Sequence, residues 1–336
     1  MKKRSFSELR QDIVSGDWVA IATARAKRPH AFIQSRVRQW YQPKATCPFE
    51  DPQEFGNKPP VLLYPRVRPK HDWWIQVIPN KFPVFHPGVC PPEISYGPYK
   101  TMEGVGFHEV VITRDHDRTI AEFNDFETEL LVRAYQERYM ALQEEGCVTY
   151  ISIFHNWGQA AGATIYHPHS QLIAIPVIPG DVKDSLTGSE RFFKKYKQCA
   201  HCVMTKWERK EKTRVIYENE EFIAVCPFTS RTAFEIVVSP KTHSANFEIM
   251  SGESRGLFAQ ALRTSLLKLS KALRNPSYNF FIHTAPCKKR SDYRFYHWHV
   301  EILPKTAIWA GFEIGTGIEV NAIRPEDAAS FLRKQK

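Results

Sequence analysis

The sequence contains one pattern of residues twice, and this internal repeat limits the possible fold more than any other feature. A phenylalanine, two valines and a histidine recur at identical spacing in residues 107–116 and 234–243. Each copy predicts a strand and a turn, and each precedes residues with the spacing of an amphipathic helix, at 125–145 and 253–272. The chain is therefore expected to contain two copies of one supersecondary unit.

The repeat continues beyond the two helices. Residues 150–155 match residues 278–283 as a further strand in each copy. A His-x-His pair then follows in both copies. We therefore predict that the chain is built from two tandem copies of a unit that combines strands and a helix.

Each copy also carries four residues of metal-binding type in the same order. The second copy has two cysteines separated by two residues and then two histidines, which is the donor set of tetrahedral zinc. In the first copy a glutamate occupies the position of one cysteine, and a carboxylate is a harder donor than a thiolate. Two zinc sites are predicted, with the role of the glutamate left open: Cys47, Glu50, His116 and His167, and then Cys199, Cys202, His243 and His297.

Four histidines of the two copies are left over from these ligand sets. They are expected to have structural roles or to support the ligands: His108, His155, His283 and His299.

Residues 162–176 combine apolar, β-branched and aromatic residues between glycine and proline, which predicts a strand. On a strand, His167, His169 and Gln171 would share one face. Two imidazoles and an amide make poor core material, because buried polar groups need partners. The favoured interpretation is that His167 is a metal ligand, His169 a nucleophile and Gln171 a donor to a phosphate oxygen. The alternative is that the two histidines are hydrogen-bonded on a solvated face of a sheet and have no chemical role.

Composition narrows the class of protein. The chain has 336 residues and a formal net charge of +10, which suits an anionic ligand or nucleic acid equally well. The N-terminus has no apolar segment of the kind found in secretion signals, and no long apolar run is present, so a cytoplasmic protein without membrane segments is expected. Seven cysteines without a secretion signal favour thiols or metal ligands over disulfides.

These motifs resemble the galactose-1-phosphate uridylyltransferase family, a duplicated-domain branch of the histidine-triad superfamily. The most specific segment is residues 167–171, His-Pro-His-Ser-Gln, preceded by Asn156 and by residues 162–164. Residues 25–29, 80–83 and 310–317 are also similar to family motifs. The resemblance implies an α+β fold of two tandem histidine-triad-like domains, each an antiparallel sheet packed with helices. The domain at 1–180 would be catalytic and the domain at 181–336 mainly structural.

The resemblance also implies a ping-pong reaction, in which UMP moves between UDP-glucose and galactose 1-phosphate. His169 would attack the α-phosphorus of the UDP-sugar, release sugar 1-phosphate and carry the nucleotidyl group. His167, as a metal ligand, would aim His169. Gln171 would donate its amide to a phosphoryl oxygen, and it cannot act as a general acid for water.

Further roles follow from the same matching of motifs. Phosphate contacts are implied for Asn156 and Thr164, a nucleoside contact for Asn80, and a hexose contact for Glu313. Arg25 and Arg28 would bind the phosphate of the acceptor, and in the family such residues come from the other subunit of a homodimer with shared active sites.

Two departures and two rival functions remain open. Glu50 replaces an expected cysteine, and the second copy has Glu301 where the first has Gln171, which favours a structural second copy. Related family members act on ADP-glucose and phosphate, and the motifs do not separate the two reactions. A nucleotide- or nucleic-acid-binding protein with a relic site would suit the charge, but the polar residues of the first copy are all present.

Overall fold

The fold is taken from a computed structural model, which describes residues 7–22, 32, 40–65, 72–288 and 290–335. The strands within these ranges are β1 Glu8–Gln11, β2 Trp18–Ile21, β3 Leu62–Pro65, β4 Trp73–Pro79, β5 Ile94–Tyr96, β6 Tyr99–Thr101, β7 Phe107–Thr113, β8 Tyr150–Trp157, β9 His169–Ile175, β10 Val215–Glu218, β11 Phe222–Val225, β12 Ile236–Pro240, β13 Tyr278–His283, β14 His299–Pro304 and β15 Val320–Asn321. The helices are α1 Asp125–Gln143, α2 Gly180–Tyr196, α3 Ala200–Glu211, α4 Gly252–Leu273, α5 Gly311–Thr316 and α6 Pro325–Arg333.

Ten strands form one sheet that runs through both halves of the chain. Their order is β10-β11-β12-β14-β13-β8-β9-β7-β4-β3, and each neighbouring pair is antiparallel. Each half contributes five strands to this sheet. When these five are numbered by their order along the chain, both halves read first, second, third, fifth and fourth from the edge inwards, as expected for two copies of one unit. The two sets meet where β8 pairs with β13, with Phe154 opposite Phe281. The predicted α+β class is confirmed, and the boundary at residue 180 stays a prediction.

The two helices predicted from apolar spacing are both present, as α1 and α4. Asn124 begins α1 with a capping box, in which its side chain accepts from the backbone of Glu127. Each helix packs on the strands of its own half, and the two helices contact each other. Large side chains of α1 such as Tyr135 and Tyr139 are fully buried there, and each such burial stabilises the fold by about 2 kcal/mol.

The strand that carries His169 is shorter than the sequence predicts. It begins at His169, whereas residues 162–168 form a turn and a bend, so that part of the predicted strand is wrong. Gly162 has a left-handed backbone, with φ of 84°, and Pro168 has no N–H to give to a sheet. His167 therefore lies outside the strand, immediately before its first residue.

A disulfide joins Cys90 to Cys147, contrary to the expectation of free thiols. Cys90 lies in the segment between β4 and β5, and Cys147 follows the end of α1. A cysteine count does not reveal which residues lie close in space, and here the two Cα atoms are 5.0 Å apart. The other five cysteines are free thiols.

No helix within the described ranges combines the length and the apolar character that a bilayer crossing needs.

Candidate active site

His169, the first residue of β9, has the geometry of a neutral nucleophile. Its Nδ1 lies 2.9 Å from the backbone carbonyl oxygen of His167. Because a carbonyl can only accept, Nδ1 carries the proton and Nε2 keeps its lone pair. Burial lowers the pKa of His169 below its usual 6.5, although the bond to His167 opposes the shift. The imidazole is therefore uncharged at neutral pH, as nucleophilic attack requires.

Gln171 lies two residues further along β9, on the same face of the strand. Its Oε1 accepts a hydrogen bond of 2.7 Å from Nε2 of His108. Among the described residues, its amide nitrogen makes no hydrogen bond. Gln171 can therefore donate to a phosphoryl oxygen held near His169.

A buried polar chain supports β9 between these two residues. The hydroxyl of Ser170 lies 2.6 Å from the Tyr135 hydroxyl and 3.0 Å from Nδ1 of His155. The His155 ring stacks on Phe280 of β13 at 5.2 Å. Burial lowers the pKa of His155 to about 3, with a smaller effect from His169. The second half of the chain thus supports the strand that carries the nucleophile.

The first predicted ligand set comes together directly beside His169. Ligand atoms of Cys47, His116 and His167 all lie within 4.8 Å of one another. Nε2 of His116 donates to the Gln42 carbonyl and Nε2 of His167 to the Thr113 carbonyl, so both Nδ1 atoms are left as ligands. Each histidine thus has its second ring nitrogen fixed, as is usual for metal ligands.

Glu50 lies against this group with one carboxylate oxygen. Oε1 is 3.0 Å from Nδ1 of His116 and 3.7 Å from Nδ1 of His167. Oε2 is 2.7 Å from the Arg114 guanidinium. Although these two atoms lie 3.0 Å apart, neither Oε1 nor the His116 Nδ1 makes a hydrogen bond within the part of the chain that the structure describes, and both are buried. A zinc ion would satisfy them together with the Cys47 thiolate. The residues present therefore fit the metal.

The second predicted set is a complete N/S group at the corresponding place in the second half. Sγ of Cys202 is 3.5 Å from Nδ1 of His243 and of His297, and Sγ of Cys199 is 3.6 Å from Nδ1 of His297. Both histidines donate from Nε2 to backbone carbonyls, as in the first set. Two thiols and two imidazole nitrogens fit tetrahedral zinc.

The second copy repeats the histidine geometry without the amide. Nδ1 of His299 lies 3.0 Å from the carbonyl oxygen of His297. Glu301 stands in the place of Gln171, and its carboxylate is paired with Arg231. A carboxylate cannot donate to phosphate and repels it, so this copy lacks the group that binds a phosphoryl oxygen. Ligand atoms of His283, His299 and Glu301 also lie within 4.8 Å of one another.

The remaining predicted residues are not all in one place. Asn80 brings its amide nitrogen to 3.0 Å from His108, and Asn156 accepts from the amide of Asn279 across β8 and β13.

Thr164 is exposed in the turn before β9, and Glu313 caps α5 by accepting from the backbone of Ala310. Among the described residues, neither contacts His169. Arg25 and Arg28 lie outside the described residues.

Two features of the site escaped the sequence patterns. The contact between His108 and Gln171 joins residues on neighbouring strands, and the hydroxyl chain of Tyr135 and Ser170 joins a helix to a strand. The sequence signal was His108 itself, which was expected only to be structural or to support a metal ligand.

Nearly the whole chain is similar to an ADP-glucose phosphorylase and to galactose-1-phosphate uridylyltransferases. A family model described as galactose-1-phosphate uridyl transferase, N-terminal domain, matches residues 1–179. A second model, described as Domain of unknown function (DUF4921), matches residues 105–334. ADP-glucose phosphorylase of Arabidopsis thaliana is 35% identical, with 97% of this chain and 92% of the relative covered. Galactose-1-phosphate uridylyltransferase of Thermotoga maritima is 28% identical, with 97% and 98% covered.

Solved structures agree with these relatives. The crystal structure of the Arabidopsis thaliana ADP-glucose phosphorylase with bound ADP-glucose has a TM-score of 0.81 at 31% identity, with 98% of this chain and 100% of that chain covered. A uridylyltransferase structure has a TM-score of 0.73 at 24% identity, with 98% and 97% covered, which shows the same fold. Fold and site together define a nucleotidyltransferase. The chain belongs to the galactose-1-phosphate uridyl transferase family.

Proposed function

We propose that the protein is a nucleotide-sugar phosphorylase, which moves the adenylyl group of ADP-glucose to inorganic phosphate through a covalent intermediate on His169. The observation that carries this proposal is the hydrogen bond from Nδ1 of His169 to the His167 carbonyl, which leaves a neutral Nε2 as nucleophile. ADP-glucose is preferred to UDP-glucose as the donor because the similarity to the ADP-glucose phosphorylase is greater, at 35% against 28% identity.

In the first half-reaction, the lone pair of Nε2 of His169 attacks the α-phosphorus of the donor. A P–N bond forms and the bond to the bridging oxygen breaks, so glucose 1-phosphate leaves with that oxygen and its electron pair. The amide of Gln171 donates to a phosphoryl oxygen, where negative charge grows in the transition state. An imidazole is a suitable carrier because it is a good nucleophile and, later, a good leaving group.

In the second half-reaction, an oxygen of inorganic phosphate attacks the same phosphorus. The P–N bond breaks, ADP leaves and His169 regains its lone pair. Gln171 offers no titratable proton to assist water, so its chemistry suits transfer to phosphate over hydrolysis. A zinc ion held by Cys47, Glu50, His116 and His167 would supply a rigid anchor for the backbone that aligns His169.

The proposal extends to assembly and location. We propose a cytoplasmic homodimer in which Arg25 and Arg28 of one subunit bind the acceptor phosphate in the site of the other. Guanidinium groups bind phosphate through two parallel hydrogen bonds, which suits this role.

A second reaction, uridylyl transfer from UDP-glucose to galactose 1-phosphate, uses the same nucleophile. The match of residues 1–179 to the uridyl transferase model favours it. The two reactions differ only in the base of the donor nucleotide, which is adenine or uracil, and in the acceptor, which is inorganic phosphate or galactose 1-phosphate.

The test is a donor-by-acceptor comparison. ADP-glucose and UDP-glucose are each incubated with the protein and either inorganic phosphate or galactose 1-phosphate, and the products are separated by anion-exchange chromatography. We expect ADP and glucose 1-phosphate from the first donor with phosphate, at a rate at least about tenfold above the other pairs. Faster formation of UDP-galactose would establish the uridylyltransferase, and no turnover with any pair would indicate a binding protein. His169→Ala is the inactive control.

A further inference from the structure

We infer that His108 is a positioning residue for nucleotidyl transfer, which holds the Gln171 amide with its nitrogen directed at the reacting phosphate. The inference rests on the proposed function, because it assigns a task within that reaction. His108 does not contact the nucleophile, so its effect must pass through Gln171.

The pairing of strands brings the two residues together. In the register of β7 and β9, Val110 lies opposite Gln171 and His108 lies opposite Ile173. His108 and Gln171 are therefore diagonal neighbours on one face of the sheet, a separation that long side chains bridge. His108 is 8% exposed, which shields the contact from water.

Three contacts bear on which nitrogen of His108 carries the proton, and the bonds with Val84 and Gln171 require the same one. The amide nitrogen of Asn80 also lies 3.0 Å from Nε2, and in that tautomer this donor makes no hydrogen bond to the ring. The backbone N–H of Val84 donates to Nδ1 at 3.3 Å, so Nδ1 must be an acceptor. Nε2 then carries the hydrogen, and it donates to Oε1 of Gln171 at 2.7 Å. Burial lowers the pKa of His108, with the bond to Gln171 opposing the shift, which keeps the ring in this neutral form.

The consequence for Gln171 is a fixed amide orientation. An amide can rotate by half a turn and exchange its oxygen for its nitrogen at little cost. With Oε1 bound to His108, the nitrogen faces the phosphate and donates. In the reverse orientation Oε1 would face a phosphoryl oxygen, which repels it.

His108 also contacts the segment that is expected to bind the nucleoside. Backbone N–H of Asn80 donates to the His108 carbonyl at 2.8 Å, and Val84 lies four residues further along the same segment. The bond from Val84 favours the Nε2–H tautomer of His108, and this tautomer fixes the orientation of the Gln171 side-chain amide. The segment 80–84 and the phosphate donor are thus coupled through one ring.

The test compares two amide replacements of His108. In His108→Asn, the short amide can accept from Val84 near the position of Nδ1 but cannot reach Gln171. In His108→Gln, the longer amide can donate to Gln171 near the position of Nε2. Each is made in the wild-type and the Gln171→Ala backgrounds, and adduct formation with ADP-glucose is followed in single turnover. Thermal unfolding of each variant serves as the folding control.

We expect His108→Asn to slow adduct formation by about 10- to 100-fold in the wild-type background, the usual cost of a displaced catalytic donor. His108→Gln should stay within about threefold of wild type, and His108→Asn should cause no further loss when Gln171 is already alanine. Equal slowing in both backgrounds, or equal damage from the two replacements, overturns the inference.

A second measurement separates this inference from the proposed function. Wild-type protein that forms no adduct with either nucleotide sugar would contradict the proposed function by itself. Nitrogen-15 NMR of labelled histidine reads the His108 tautomer without turnover, and the His108→Asn variant assigns the signal. We expect the Nε2–H form, and the Nδ1–H form would overturn the positioning role whatever the activity.

Discussion

The Nδ1 atom of His169 lies 2.9 Å from the carbonyl oxygen of His167, and the equivalent atoms of His299 and His297 lie 3.0 Å apart. The fold therefore builds the same oriented imidazole twice. Only the first copy places an amide, Gln171, two residues beyond it. We infer that neighbouring groups, and not the histidine geometry alone, separate the copy proposed to be catalytic from the other.

We predict that the two metal positions release zinc at different rates. The second set has two thiolates and two imidazoles, whereas the first has one thiolate and depends on the oxygen of Glu50, a harder donor. Glu50→Cys should therefore slow the loss of zinc from the first position. Metal analysis after graded treatment with a chelator, on wild type and variant, measures the difference.

Glu50→Gln is the matched control, because it keeps the shape but weakens the donor and removes the charge that pairs with Arg114. It should release zinc from the first position faster than wild type. Identical release from all three proteins would mean that Glu50 does not bind the metal.

We predict that His155 makes stability depend on pH below neutrality. Its pKa falls from 6.5 to about 3 in the folded protein, so only the unfolded chain gains this proton between those values. The free energy of unfolding then decreases as pH falls, by about 1.4 kcal/mol per pH unit. His155→Phe, which can still stack on Phe280, should make the slope between pH 6 and pH 4.5 shallower by that amount. Urea unfolding across this range measures it, and an unchanged slope would contradict a buried neutral His155.

Local patterns were enough to predict much of this molecule. Helical spacing and alternating apolar residues depend on neighbours in sequence, so the helices α1 and α4 and the strand β7 could be predicted. The residues of both proposed metal sets could be identified from donor chemistry and the repeat, and the structure brings each set together. The start of β9 was predicted too early, because Pro168 and the left-handed Gly162 outweigh the β propensity of the residues between them.

Long-range contacts could not be predicted in this way. The contact of His108 with Gln171 depends on the register of β7 and β9, and that of Cys90 with Cys147 on the path of a long segment. The spacing of residues along the sequence indicates neither of these two contacts. The continuous sheet across β8 and β13 likewise follows from pairing between the halves, which a list of strands does not specify.

We predict that the Cys90–Cys147 disulfide stabilises the segment that precedes β7. The two residues are 57 positions apart, and a cross-link of this span restricts the unfolded chain. Cys90→Ser should lower the free energy of unfolding by about 2 to 4 kcal/mol under oxidising conditions. The difference from wild type should vanish when both proteins are reduced. If alkylation without reduction labels Cys90 and Cys147 fully, the bond does not form.

We predict that Arg25 and Arg28 act only in the second half-reaction. Their replacement by alanine together should leave adduct formation on His169 within about threefold, and should slow its transfer to phosphate by about 100-fold or more, because bidentate phosphate contacts are lost. Rapid-quench measurement of the two half-reactions separates them. Equal slowing of both would contradict the assignment.

The shared site has its own test. Subunits of the doubly substituted protein are mixed with subunits of His169→Ala, and the mixture is allowed to exchange. Activity should return, because some mixed dimers then contain one intact site. Continued inactivity after verified exchange would show that each subunit supplies its own arginines.

The most direct test of the central claim is the detection of the covalent intermediate. The protein is mixed with ADP-glucose in the absence of phosphate, quenched under alkaline conditions that preserve P–N bonds, and digested for mass spectrometry. We predict one adenylyl group on the His169 peptide, with release of one equivalent of glucose 1-phosphate per active site. The group should leave as ADP when phosphate is added. Absence of any adduct, its location on another residue, or full turnover by His169→Ala would contradict the account.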